Sequence, residues 1–432
     1  MIRFILSTTI ALSIAAPALA QEAPPPPSAS PLSLSAATSR ALQQVSALRQ
    51  AELEEQSAVE DLRQARTALL PRARDEFSIS YNSPAHHAGS DPSFIAANAV
   101  HEYQNLLGVT GDIGLGMVSA VRRSRALLEA ARAGTELARR ALVRGVGEAY
   151  YGAAVATAKR RAAEESLAAA TEFERMTRQN VDAGEVPEVD ALRARLQTAA
   201  RRDELATARE DEAVANAQLA TLLGSGIDIA PPIEPLPQAI ADSDLRPLAN
   251  DALARHPQVA QAEAQLRAAQ ADVGVARGDL LPHITYSVDE GFDATSLAAD
   301  ELRQHRGVLA GATIDVPLFD WGAARSRQRQ AELRARGAAM QRELALRDVR
   351  LQFATARQEA ATAAERVTNA RDALGDAERN VTISVARYRA GEAPISEATD
   401  AQTTAAQQRL ALQQALADYY IARMRLTEAA GE

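Results

Sequence analysis

Two interruptions at matching places constrain this chain more than any single residue does. Gly184-Glu185-Val186-Pro187 and Gly391-Glu392-Ala393-Pro394 break two long alanine-rich helical stretches, and they stand roughly 200 residues apart, the mark of a duplicated unit. An acid follows each proline at the same offset, Asp190 and Glu397. A pair of short alternating segments precedes each break. The unit therefore reads helix, strand, strand, long helix, turn, long helix, and the chain contains it twice.

The first copy is expected over residues 33–224. From residue 33 to residue 70 the pattern is helical, with Leu42, Val45, Leu48, Leu53 and Leu62 set among polar residues. Leu69-Leu70-Pro71 ends it, because proline cannot continue a helix. The period then changes to two. Phe77, Ile79 and Tyr81 alternate with serines, and Leu107, Val109, Gly111, Ile113, Leu115 and Met117 alternate with small or polar residues. Strands are expected near 72–82 and 106–117, with Gly114 and Gly116 inside the second. A helical hairpin follows over 119–224. Its first arm is about 60 residues, or ~90 Å, too long for an ordinary globular domain. Gly184 suits that arm's end and Pro187 the first turn of the return helix.

Residues 225–242 form a proline-rich linker. The second copy is expected over 243–429. It opens with a short helix near 245–255, and His256-Pro257 leads a further helix to Leu281. Leu280-Leu281-Pro282 repeats the earlier stop, strands are expected near 282–291 and 307–318, and a second helical hairpin over 322–427. Trp321 and Phe319, at the end of the fourth strand, suit a membrane interface.

Composition narrows the class. Of 432 residues, 47% are hydrophobic but only 4% aromatic, which fits long helices packed through alanine better than a large aromatic core. The net charge of −9 and the absence of a basic stretch argue against nucleic acid. With no cysteine, thiolate metal sites, disulfides and an N-terminal lipid anchor are not expected. Residues 1–20 read as a secretory signal peptide: Arg3, an apolar run from Phe4 to Ala16, and Ala18-Leu19-Ala20 before Gln21. Residues 21–32 read as a flexible leader. No later run approaches the ~20 apolar residues of a transmembrane helix. No enzyme, cofactor or metal site is expected: there is no phosphate-binding loop and no nucleophile elbow. His86, His87 and His101 lack partners at fixed spacing.

The strand segments have the ~9–12 residue length that crosses a hydrocarbon layer when tilted, with one apolar and one polar face. A soluble sheet with one wet face is the alternative. In a bilayer four strands cannot close, and open edges leave backbone groups without partners. Copies must then join: two would give eight strands with a filled interior, three would give twelve around an open lumen.

Taken in order, Ala149-Tyr150-Tyr151, the first turn through Asp190, Leu219-Ala220-Thr221-Leu222-Leu223-Gly224, His256-Pro257, Pro317-Leu318-Phe319-Asp320-Trp321-Gly322 and Ala386-Arg387-Tyr388-Arg389-Ala390-Gly391-Glu392 carry a resemblance to the TolC-like outer-membrane efflux factors. The order and spacing over the whole chain carry it, rather than one motif. The resemblance implies a mainly α protein with a membrane β-barrel, a homotrimer that forms a 12-stranded barrel in outer-membrane lipid and a periplasmic α-helical barrel. It implies a passive duct that docks with a periplasmic adaptor (membrane fusion) protein and an inner-membrane transporter. The turns become the periplasmic mouth. By position Tyr388 matches a gate tyrosine, Glu397 and Asp400 an acidic selectivity ring, and Asp190 an acid that receives gate contacts. Ala393 stands where some members carry a gate arginine, which leaves Arg387 and Arg389 as candidates. The hairpin tips expected to dock the adaptor are Gly184, Glu185, Pro187, Gly391, Glu392 and Pro394. Three copies of Glu397 and Asp400 would stack carboxylates one helical turn apart, favouring cations. Acids in a first turn also simply suit the helix dipole. The competing reading of the whole chain is a periplasmic coiled-coil adaptor or structural spacer. Such adaptors usually carry one hairpin between compact β domains, whereas here two copies each insert a strand pair.

Overall fold

In chain order the elements of the computed structural model are α1 (Leu34–Ala41), α2 (Ala47–Thr67), β1 (Arg72–Tyr81), β2 (His101–Ile113), α3 (Leu115–Asp182), α4 (Glu188–Leu223), α5 (Pro257–Gly278), β3 (His283–Ala294), α6 (Ala299–Gln304), β4 (Arg306–Asp315), α7 (Ala323–Arg389) and α8 (Ile395–Ala429). The structure describes residues 32–83, 100–184, 187–224, 256–390 and 392–431. The expected signal peptide, nearly all of the leader, the linker 225–242, the short helix near 245–255 and the pair His86-His87 lie outside the described residues.

The four strands form one antiparallel sheet in the order β1-β2-β3-β4. Val109 stands opposite Val288, which stands opposite Ala310. Because side chains alternate along each strand, that register gathers Phe77, Ile79, Leu107, Val109, Val288, Val308 and Ile314 on one face. These side chains are 41–70% exposed. The opposite face carries Arg72, Arg74, Glu76, Gln104, Thr110, Asp112, Thr285, Ser287, Asp289 and Thr313. Among the described residues, the outer edges of β1 and β4 pair with no other strand.

Several expected boundaries move, each for a physical reason. The second strand spans 101–113 rather than 106–117, so Leu115 and Met117 open α3 instead of ending a strand. Gly114 is the residue before the helix, and Gly116 lies in its first turn. There α3 and α5 meet backbone to backbone: a Cβ on Gly278 would lie 2.4 Å from the Gly116 Cα. A side chain at Gly278 would push the two helices apart. The fourth strand ends at Asp315, short of 318, because Pro317 has no N–H for the ladder. Asp320 then accepts the Gly322 N–H at 3.0 Å, and Trp321 (φ 56°) and Gly322 (φ 85°) turn the chain into α7. The third strand runs past 291 to Ala294. The single helix expected over 33–70 is two. The chain bends at residues 42–46 so that Ala37 and Ala41, both fully buried, seat against α3 and the end of α4. A straight continuation would carry them into solvent.

The helical body is organised around α3, 68 residues and ~100 Å long at the usual rise. It packs against α2 and α5 in its first half and α4 and α8 in its second, and α7 packs on α5 and α8. Two cores hold this body. Val146, Tyr150 and Ala153 of α3 meet Leu219 and Leu223 of α4 beneath α1, and the Tyr150 hydroxyl donates to the Leu32 carbonyl at 3.1 Å. In the second hairpin, Ala356, Ala360, Ala363 and Val367 face Ala415, Tyr419, Ala422 and Leu426. Both sets follow alternating steps of four and three, the 3.5-residue period that winds helices into a left-handed coil. Among the described residues no helix is long and apolar enough to cross a membrane.

Candidate functional site

At the first turn, α3 gives way to Ala183 in a right-handed conformation, then to Gly184 at φ 76°. That left-handed value is cheap only for glycine and lets the chain leave the helix axis within one residue. Pro187 (φ −65°, ψ 149°) stands as the N-cap of α4, one place earlier than the expected first-turn position, and Glu188 and Asp190 occupy the first turn. The Asp190 carboxylate pairs within its own helix, with Arg193 Nη1 at 3.4 Å.

At the second turn Pro394 (φ −68°, ψ 152°) takes the same place before α8, and Glu397 lies in the first turn. The Glu392 N–H donates to the Arg387 carbonyl at 3.0 Å and tightens the helix end. Here the ion pair crosses the turn: the Arg387 guanidinium holds the Glu397 carboxylate. Their side chains are 46% and 36% exposed, so solvent limits the pair to under about 1 kcal/mol. Asp400, three residues on, is exposed and forms no ion pair among the described residues. Its carbonyl accepts the Thr404 hydroxyl at 2.8 Å. Glu185 and Gly391 lie outside the described residues, as do the side chains of Tyr388 and Arg389.

Above the tips the two hairpins diverge around a cleft of about 630 Å³ lined by Phe173, Gln197, Glu378, Thr399, Gln402 and Thr403, among others. Arg409 of α8 sits at its head, with Nη2 3.1 Å from Glu378 of α7 and Nη1 3.7 Å from Glu165 of α3. Farther up, Arg425 joins Glu148 at 2.9 Å and Arg144 joins Glu428 at 2.8 Å. The Glu148 hydrogen bond holds the Arg425 guanidinium above its ordinary pKa. Among the described residues, Arg409 makes the ion pair between hairpins that lies nearest the tips. Sequence reading missed it, since nothing in its local pattern separates it from the many arginines on these helices.

The sheet and hairpins place the chain among known proteins. A family model described as Outer membrane efflux protein matches residues 37–225 and 248–432.

The chain belongs to the outer membrane efflux protein family.

Membership sets its location in the outer membrane. Protein CyaE of Bordetella pertussis is 34% identical over 236 residues, 53% of this chain and 48% of that protein. The pyoverdine export outer membrane protein OpmQ of Pseudomonas aeruginosa is 30% identical over 298 residues, 65% of this chain and 60% of that protein. The chain thus spans about half to three-fifths of the length of these curated relatives. The Campylobacter jejuni CmeC outer membrane channel superposes with a TM-score of 0.81 at 19% identity, over 92% of this chain and 85% of that one. The Vibrio cholerae outer membrane protein VceC gives 0.79 at 21%, over 92% and 96%. These likenesses establish that the efflux-family chain has the fold of these outer membrane channels.

Proposed function

We propose that three copies of this chain close a 12-stranded barrel in the outer membrane and continue it inward as a helical tube. The assembly is a passive duct, fed by an inner-membrane transporter through a periplasmic adaptor protein, and it performs no chemistry of its own. The observation that carries this reading is the sheet: one apolar face exposed, and two edges without partners. In hydrocarbon each unpaired backbone group costs several kcal/mol, so β1 of one copy must pair with β4 of the next. Three copies supply the strands for an open bore, whereas two would close around side chains. The polar face then lines water. A periplasmic spacer would have no use for so much exposed apolar sheet.

The tips, Gly184 to Pro187 and Gly391 to Pro394, face the adaptor in this reading. Glu397 and Asp400 from three copies ring the inner mouth and favour cations. Arg387 supplies the cation that Ala393 does not, holding Glu397 within its own chain. Tyr388, Arg389 and Asp190 are the further gate residues in this reading. The test is twofold. Heat-modifiable trimer migration from detergent is expected, and a lone, bilayer-free monomer with a folded sheet would sink the duct. In planar bilayers the double variant Glu397→Gln/Asp400→Asn should lose cation preference. Unchanged ion selectivity would reject the ring while leaving the duct standing.

A further inference from the structure

Between α3 and α8, close to the end of α8, lies a second cleft of about 540 Å³. Its volume falls within the ~300–1,000 Å³ of small-molecule sites. It carries more guanidinium than carboxylate, in a chain whose net charge is −9. Arg139 is matched by Glu136, at 2.8 and 3.0 Å, and Arg144 by Glu428, at 3.0 and 2.8 Å. Two positive groups remain. Arg140 spends Nε on Glu136 at 2.7 Å and Nη2 on the Gly431 carbonyl at 3.2 Å. Its Nη1 is buried with no hydrogen-bond partner among the described residues. Arg423 also lines the cleft and forms no ion pair among the described residues. Burial first, and the charge on Arg140 second, hold the nearby His256 imidazole below its ordinary pKa.

The remaining wall is apolar. The rings of Tyr151 and Tyr420 stack at 5.0 Å with an interplanar angle of 4°. Met424 closes the floor over Gly147, where a Cβ would lie 2.2 Å from the thioether methyl. Lining arginines in excess of carboxylates favour an anion, and an aromatic and thioether surface beside them suits a flat apolar group.

We propose that this cleft binds a small amphipathic organic anion. A carboxylate or phosphate end would meet Arg423 in the positive field of Arg140 and Arg144, and an apolar body would lie against Tyr151, Tyr420 and Met424. The site lies between two helices of one chain, away from the open sheet edges, so it stands independently of the duct reading.

The test is equilibrium dialysis of the full chain in detergent against four probes: phenyl phosphate, benzoate, inorganic phosphate and phenol. Saturable binding of phenyl phosphate or benzoate is expected, at least tenfold tighter than that of inorganic phosphate or phenol. The preferred one of the first two distinguishes a phosphate from a carboxylate ligand. Arg423→Gln breaks no ion pair, so the helical circular dichroism should persist while binding weakens about tenfold or more, the usual loss for a charge-assisted hydrogen bond. Arg423→Lys should retain most of it. Equal binding of phenol, no saturable binding of either amphipathic anion, or full binding by a folded Arg423→Gln variant would overturn the proposal. The probe comparison on the unaltered protein decides the matter even if a variant fails to fold.

Discussion

The two helical hairpins follow the same backbone plan and hold themselves differently. In α3–α4 the seal is bulky and sits far from the tip: Leu219 and Leu223 lock onto Tyr150 and Val146, with α1 as a cover. In α7–α8 the seal is longer and has no covering helix: alanines of α7 with Val367 face Tyr419, Leu426 and alanines of α8 at coiled-coil spacing. At the tips the contrast continues. Asp190 is answered inside its own helix, whereas Glu397 is answered by Arg387 from across the turn. Gly184, Pro187 and Pro394 thus turn the chain at the two ends, while the side chains around them decide which turn is cross-braced. In the duct reading, that makes the second hairpin the one with a lock to release.

The largest expected effect tests the bulky seal. Leu219→Ala, at a fully buried position, should cost ~2–5 kcal/mol and free α1, seen as a lower thermal midpoint and faster proteolysis near residue 42. The small positions of the α7–α8 seal should fail in the opposite sense. Ala363→Leu adds volume at a buried alanine of the α7–α8 core, and overpacking of this kind costs ~1–3 kcal/mol. Thermal melts would show it. If Ala363→Leu were neutral and Leu219→Ala mild, the two seals would not differ as described.

A smaller effect concerns His256, which is 4% exposed and caps α5, its Nδ1 accepting the Gln258 N–H at 3.3 Å. Burial first, and Arg140 second, lower its pKa in the folded state. The unfolded chain therefore binds this proton more readily. Stability is full above pH ~6.5, the ordinary histidine value, and falls as the pH drops from there towards the lowered folded value. His256→Asn, which keeps an acceptor at the cap, should flatten the dependence of the thermal midpoint on pH across that window.

The smallest effect bears directly on the tips. A double-mutant cycle on Arg387→Gln and Glu397→Gln should return a coupling of ~0.2–1 kcal/mol. The cycle on Asp190→Asn and Arg193→Gln should return ~0.2–0.5 kcal/mol, as for any exposed pair on one helix. Hydrogen exchange at the two turns reads both. Equal couplings would remove the asymmetry between the hairpins.

Much of this architecture is legible without coordinates. Period-two runs such as Phe77 to Tyr81 and Val308 to Ile314 mark the sheet and its apolar face, and Gly184 with Pro187 marks a reversal, because each signal is local to a few residues. Boundaries are less legible where two rules compete. Leu115 and Met117 continue an alternating pattern, yet the approach of Gly116 to Gly278 makes them helical. The helix expected over 33–70 bends because burying Ala37 and Ala41 outweighs the local preference to continue. At the mouth, the types and spacing of Glu397 and Asp400 are visible in the chain, but the partner of Glu397 is not.

What the sequence determined by itself is therefore the strand segments, the two faces of the sheet, the long helical arms and the turns that reverse them. All of these follow from side-chain periodicity and from the backbone limits of glycine and proline, which act within a turn or a strand. Only the tertiary structure decided which charges meet: that Arg387 closes on Glu397, that Arg409 ties α8 to α7 and α3, and that Arg140 keeps a buried N–H without an acceptor. Ion pairs depend on distances of a few ångströms between residues far apart in the chain. Those distances are set by how alanine-lined helices pack, and no local pattern encodes them.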